Sequence, residues 1–312
     1  MRFLISGAGG LLGSKLAEVA IAAGHVVFAG YSSAPPPCGT PVRLDLTDPD
    51  SIKSALRASA PDVVFHCAAL TDVDRCEAER ELALRINAEG TERFAKSASE
   101  FAPLFVYVST DYVFDGSRGM YSESDQVSPV NFYGYTKLLG ERHALSCSKK
   151  ALVARTSVIY GACPSRGKVN FALWITESLL QSRPIALLTD QWVSPTLNSS
   201  LARMLLEAAE RGLTGVYHLA GASRVSRYEF GLSLARAFGF KLGLGGINGG
   251  GDSALKPALM SDFVGKWVAR RPRDSSLDVS KASSTLDEKP LPLGLSIEEF
   301  KKEYLQIKRG VP

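Results

Sequence analysis

The sequence has no excess of charge of either sign. Lys and Arg number 36 and Asp and Glu 32 in 312 residues, a net charge of +4. That is too small to argue for a nucleic-acid partner. Long apolar runs are also missing. Nothing approaches the roughly 20 residues needed to cross a bilayer, so no membrane partner is expected. Met1-Arg2 runs directly into Phe3-Leu4-Ile5, too short an apolar stretch for the centre of a secretion signal, and a cytoplasmic location is the expectation. Cysteine is scarce and odd in number (Cys38, Cys67, Cys76, Cys147 and Cys163), with no CxxC and no metal spacing. A reducing compartment is the simplest reading, with Cys67 and Cys76 as inert packing or helix residues. No repeat or low-complexity segment is present. What remains is ordinary for a soluble globular chain, 45% apolar and 22% charged, and long enough for one large or two moderate domains.

The first 30 residues carry the clearest pattern. Phe3-Leu4-Ile5-Ser6 reads as a short buried strand. Gly7-Ala8-Gly9-Gly10-Leu11-Leu12-Gly13 follows, then a helix with Leu12, Leu16, Val19 and Ala23 on one stripe, and Val26-Val27-Phe28-Ala29 as the next strand. In that strand–turn–helix–strand setting the glycines have a purpose. Gly7 permits a tight turn, Gly10 lets backbone approach a pyrophosphate, and Gly13 lets helix and strand pack closely. The helix N-terminus offers amides and partial positive charge to phosphates. No carboxylate stands on Phe28-Ala29-Gly30-Tyr31-Ser32-Ser33, where a site selective for NAD usually carries one for the ribose 2′-hydroxyl. The gap suits a 2′-phosphate near Lys15 or Arg43, so NADPH is the expected cofactor, with NADH possible.

Strands and helices then alternate. Residues 41–46 read as a third strand closed by Asp45 beside an adenine, and Asp62-Val63-Val64-Phe65-His66 as a fourth, ending in the small residues Cys67-Ala68-Ala69. His66 and Asn87 read as structural hydrogen-bonders, Asn87 on one long helix over residues 76–100. Leu104-Phe105-Val106-Tyr107-Val108 is the fifth strand and Ala151-Leu152-Val153-Ala154-Arg155 the sixth; Gly215-Val216-Tyr217-His218-Leu219 returns to the sheet. The fold class is therefore α/β, a doubly wound parallel Rossmann sheet with a smaller C-terminal substrate-binding region. Residues 1–157, with about 188–221, form the nucleotide-binding part, and about 158–187 and 222–312 the substrate-binding part. A Gly-rich run at residues 243–251 reads as a mobile surface loop. Arg270-Arg271-Pro272-Arg273 is either solvated charge or a clamp for an anionic substrate.

Ligands bind at the carboxyl ends of such strands, where Gly10, Ala68, Thr110 and Thr156 all fall. Tyr133 and Lys137 follow the fifth strand, four residues apart on one helix face. The spacing alone is expected by chance in a chain with ten tyrosines, and it recurs as Tyr304…Lys308 in a charged terminal helix that reads as solvated surface. Position at a strand end beside Ser109-Thr110 is what distinguishes the first pair. Reducing a carbonyl by hydride leaves charge on oxygen, so a proton donor must be near. Tyr133 is the expected acid, with its pKa of about 10 lowered by the Lys137 ammonium. Thr110 is expected to hold the carbonyl, and Lys137 to reach the nicotinamide ribose.

Gly7-x-x-Gly10-x-x-Gly13, Thr110 and Tyr133-x-x-x-Lys137 resemble the extended short-chain dehydrogenase/reductase superfamily. More narrowly the chain resembles the dTDP-4-dehydrorhamnose reductase family, through Asp45-Leu46-Thr47-Asp48, Ala68-Ala69-Leu70-Thr71-Asp72-Val73-Asp74, Ser109-Thr110-Asp111-Tyr112-Val113-Phe114-Asp115-Gly116, Arg155-Thr156-Ser157, Asp190-Gln191…Ser194-Pro195-Thr196 and Arg271-Pro272-Arg273-Asp274-Ser275-Ser276-Leu277-Asp278. The resemblance implies reduction of the C4 ketone of a dTDP-linked 6-deoxy sugar, with Thr110, Tyr133 and Lys137 catalytic. It implies a cofactor site of Gly7, Gly10, Leu11, Leu12, Gly13, Asp45, Leu46, Ala68, Ala69, Thr71, Tyr133 and Lys137, and a substrate site of Asp111, Val113, Phe114, Arg271 and Arg273. Val158 departs from the Trp that bacterial members often carry beside the sugar. Lys15 replaces an acidic residue that some members use in a metal-linked dimer, so no metal site is expected there; a homodimer remains open. The same family shape also serves the NADP-binding regulatory beta subunit of methionine adenosyltransferase, whose partner is the catalytic subunit, and reductases of other nucleotide-linked keto sugars.

Overall fold

The computed structural model describes residues 1–101, 104–164, 169–240 and 254–310. Strand β1 (Arg2–Ser6) is flanked by β2 (Val26–Tyr31) and β4 (Val63–His66), with β3 (Thr40–Arg43) at one edge beyond β2. On the other side come β5 (Leu104–Thr110), β6 (Ala151–Thr156) and, at the far edge, the strand Gly215–His218. All six pairings are parallel. The order places the reversal of winding beside β1, where a doubly wound sheet opens a crevice at its carboxyl ends.

Alternation along the strands divides the core in two. Phe3, Ile5, Phe65, Val106 and Ala154 face one side, packed under helix α1 (Leu11–Ala22) and the helix Asn198–Glu210. Leu4, Val64, Phe105, Tyr107 and Val153 face the other, with helix α2 (Pro49–Ser59) and Phe94 and Ala95 of the helix Gly90–Ala98. Both faces are covered, so β4, β5 and β6 are apolar almost throughout. A further cluster joins the helices Phe171–Leu180, Arg227–Ala237 and Leu293–Lys308 through Leu173, Ile175, Phe230, Leu234, Phe300 and Tyr304. The short strand Ile185–Leu188 pairs there with Leu255–Ala258, outside the main sheet.

Three expectations change. The third strand ends at Arg43, so Asp45 sits beyond it, its carboxylate accepting from the Thr47 amide at 2.9 Å and hydroxyl at 2.7 Å. The single helix over residues 76–100 is instead Val73–Ala78, Arg80–Ala83, a π-helical turn Leu84–Glu89 and Gly90–Ala98, the first break falling at Glu79 with φ −114° and ψ 60°. The wide turn carries Asn87, whose amide takes the Leu70 N–H at 2.8 Å and donates to the Leu70 carbonyl at 3.0 Å. Tyr304 is buried against Phe238 and Phe300 rather than solvated, because the terminal helix docks its apolar face on the second core. The run at residues 243–251 lies outside the described residues. Among those described, no helix is long and apolar enough to cross a membrane.

Candidate functional site

The carboxyl ends of β1, β4, β5 and β6 meet at one cleft. At β1 the chain turns through Gly7, at φ +68°, into α1, whose N-cap Gly10 has no side-chain cap. A Cβ on Gly7 would stand 2.8 Å from the Ala68 Cα, and one on Gly13 would stand 2.3 Å from the Gly7 carbonyl oxygen. Only glycine fits either place. The result is a helix start backed by Ala68, a cradle of backbone amides that could hold a pyrophosphate. Leu12 and Leu46 are in the core, so either would meet a cofactor only through backbone. Arg43 lies in register with Tyr31 at the adjacent ends of β3 and β2. Lys15 instead pairs with Glu18 on α1.

The Cys67–Ala69 turn is tied down from below. The Ala68 N–H donates to Ser6 Oγ at 3.2 Å, and Ser6 Oγ lies 2.7 Å from His66 Nδ1. His66 Nε2 meets Thr91 Oγ1 at 3.0 Å, and that hydroxyl already donates to the Asn87 carbonyl. His66 therefore carries its proton on Nε2 and is neutral; burial, then the Lys137 charge, lowers its pKa to about 3. It is the structural residue the sequence suggests. Cys67 and Cys76 likewise have their thiols pushed up by burial, to about 12 and about 11.

The helix Phe132–Cys147 starts at Asn131, whose side chain caps the Gly134 amide at 2.9 Å and donates to the Arg270 carbonyl at 2.9 Å. A Cβ on Gly134 would stand 2.1 Å from the Tyr112 carbonyl oxygen, so this helix start lies hard against the turn after β5. That contact brings Tyr133 near Thr110, whose hydroxyl pulls the phenol's pKa down. The phenol nonetheless has its pKa raised, first by burial and further by the Asp111 charge, against the pull of Thr110. This reverses the expected lowering by Lys137. The Lys137 ammonium donates to the Val108 carbonyl at 2.7 Å and lies 4.1 Å from the centre of the Tyr107 ring. Burial lowers its pKa to about 7, with Glu141 opposing.

Asp111 is 2% exposed. Its carboxylate accepts from Thr110 at 3.0 Å, Ser157 at 2.8 Å and Ser275 at 2.5 Å. Burial raises its pKa and the three hydroxyls resist. Val113 and Phe114, expected at the substrate, are both fully buried, Phe114 stacked on Tyr121 at 4.3 Å. Their side chains build the floor and do not line the cleft. Arg271 reaches Asp74 at 2.9 Å and stacks over Trp267, while the exposed Arg273 lies over Trp192. Under the site, Glu141 takes Ser109 Oγ at 2.5 Å and a two-pronged Arg155 at 2.9 and 2.8 Å.

Two features escape the sequence. Arg227 carries a charge that acts on Asp111 and Tyr112, while its Nε donates to Gln191 at 3.2 Å and its guanidinium lies over Phe171. Nothing in its local pattern marks it, because all these partners are distant in sequence. Val158, in the place of the family's Trp, has φ +39°, strained for a β-branched residue.

The family model described as the RmlD substrate binding domain matches residues 1–306. The chain belongs to this dTDP-4-dehydrorhamnose reductase family of NAD(P)-dependent oxidoreductases. It is 33% identical over 289 residues, 92% of each chain, to the probable low-salt glycan biosynthesis reductase of Haloferax volcanii. The methionine adenosyltransferase 2 subunit beta of Xenopus laevis is 32% identical, covering 99% of this chain and 89% of that one. The dTDP-4-dehydrorhamnose reductase of Bacillus anthracis, solved in complex with NADP, superposes with a TM-score of 0.82 at 28% identity over 97% of this chain and 99% of that one. The Rossmann class and the nicotinamide cofactor read from the sequence agree with these relatives.

Proposed function

We propose that the chain reduces the C4 ketone of a nucleotide-linked 6-deoxy sugar, the substrate of the dTDP-4-dehydrorhamnose reductases, with Tyr133 as general acid. The observation that carries this is the Tyr133 phenol close enough to Thr110 for that hydroxyl to act on its pKa, at the same edge of the parallel sheet as the α1 cradle. The bound nicotinamide would supply hydride to the ketone carbon. As charge grows on the ketone oxygen, Tyr133 gives it the phenolic proton. Thr110, whose oxygen accepts the Tyr112 amide at 3.2 Å, turns its hydroxyl proton from Asp111 to the ketone oxygen when substrate binds. A phenol with a raised pKa holds its proton until that charge develops. Lys137, buried with a pKa near 7, reaches the ribose and stabilises the phenolate once ligands close the cleft. Arg227 and Arg271 meet the substrate diphosphate. Arg43 favours NADPH over NADH.

Purified protein, NADPH and dTDP-4-keto-6-deoxy-L-mannose test the reading through loss of nicotinamide absorbance. Turnover with a preference for NADPH over NADH is expected. A second reading rests on the 32% identity to a methionine adenosyltransferase subunit. Absence of turnover together with tight binding to the catalytic subunit of that synthetase would replace the first reading by the second.

A further inference from the structure

The helix that carries Tyr133 at its start carries His143 and Cys147 at its other end. They stand four residues apart and therefore on one face. Glu92, on the neighbouring helix Gly90–Ala98, stands across from them. One ligand atom from each, an imidazole nitrogen, a thiol sulfur and a carboxylate oxygen, lie within 4.8 Å of one another. In a tetrahedral zinc site, with Zn–N of about 2.0 Å and Zn–S of about 2.3 Å, such atoms are roughly 3.3–3.8 Å apart. All three side chains are half-buried, so rotamer shifts of about an ångström can close the remaining gap. The spacing of the cysteines alone hides this group, because one ligand is a histidine and another comes from a different helix.

The charges suit a dication. Thiolate and carboxylate neutralise it and the imidazole stays neutral. Lys96 holds Oε1 of Glu92 at 2.5 Å and leaves the other carboxylate oxygen available. Lys96 is mostly exposed, so it can swing away. The other cation acting on Glu92 is Arg93, whose own guanidinium pairs with Glu89 at 2.7 Å. Sulfur and imidazole together select a borderline-soft metal over magnesium or calcium.

We propose that Glu92, His143 and Cys147 bind a zinc-class divalent cation, with water in the fourth position, and that it pins the far end of the Tyr133 helix to its neighbour. The site is apart from the cleft, and its test does not depend on the reductase reading.

Cobalt(II) added to the reduced, full-length protein serves as a coloured substitute for zinc. One equivalent is expected to produce a thiolate-to-cobalt charge-transfer band that zinc abolishes, and zinc is expected to raise the thermal midpoint. Cys147→Ser and His143→Ala should each weaken binding at least tenfold and remove the zinc-dependent stabilisation, with NADPH affinity unchanged as the check on folding. Lys96→Gln, which frees the second carboxylate oxygen, should tighten binding several-fold. The proposal is overturned if stoichiometric cobalt gives no charge-transfer band, or if the band survives in Cys147→Ser.

Discussion

Ser275 donates to Asp111 at 2.5 Å, joining two residues 164 positions apart. Through that bond the C-terminal segment is anchored to the end of β5, directly beside Thr110. Asp111 is thus a buried acceptor for three hydroxyls, one from each of three separate segments. The carboxylate thereby ties Thr110 to the ends of two other segments.

Replacing Asp111 by Ala leaves the hydroxyls of Thr110, Ser157 and Ser275 without their acceptor in a buried setting. A loss of about 1–3 kcal/mol is expected, seen as a lower urea midpoint at unchanged slope. KM for the sugar nucleotide should rise as well, because Thr110 loses its orientation. A variant as stable as the parent would show that the hydroxyls find other partners.

Tyr133→Phe removes the phenolic proton and keeps the ring, so the T-shaped contact with Tyr112 survives. Turnover should fall by about 10²–10⁴-fold, the usual worth of a positioned general acid. NADPH affinity, followed by fluorescence, should change little. Tyr304→Phe should leave turnover untouched, because that ring belongs to the second core.

Glu141 and Arg155 are both nearly inaccessible and bond through two prongs. Removing one partner strands the other's charge, so Glu141→Gln and Arg155→Met should each cost about 3–5 kcal/mol. The double variant should cost clearly less than the sum of the two. Strict additivity in the unfolding free energies would show that the pair is not coupled.

His66 binds no proton in the folded chain until its pKa of about 3, whereas in the unfolded chain it titrates near 6.5. Between those values the unfolded state holds more protons, so stability rises with pH across the window. It is lost as pH falls from 6.5 toward 3, by up to about 1.4 kcal/mol per unit. His66→Gln lacks this term. The stability advantage of the parent over that variant should therefore shrink between pH 7 and pH 4, and a constant difference would refute the buried neutral imidazole.

The sequence by itself determined the Rossmann sheet, the glycine cradle and the position of Tyr133 after the fifth strand. These are local patterns: short apolar runs in strands covered on both faces, a stripe in helices, and glycines where backbone must pack on backbone. The Gly7 and Gly13 contacts and the Asn131 cap show why such signals are legible, since each involves near neighbours or one obligatory residue type. Only the tertiary structure decided the rest. It buried Val113 and Phe114, turned Arg271 toward Asp74, placed Tyr304 in a core and set the Arg227 charge to act on Asp111 and Tyr112. It also showed the Tyr133 phenol raised and Lys137 lowered. Burial and long-range partners set those properties, and neither leaves a trace in the spacing of residues along the chain.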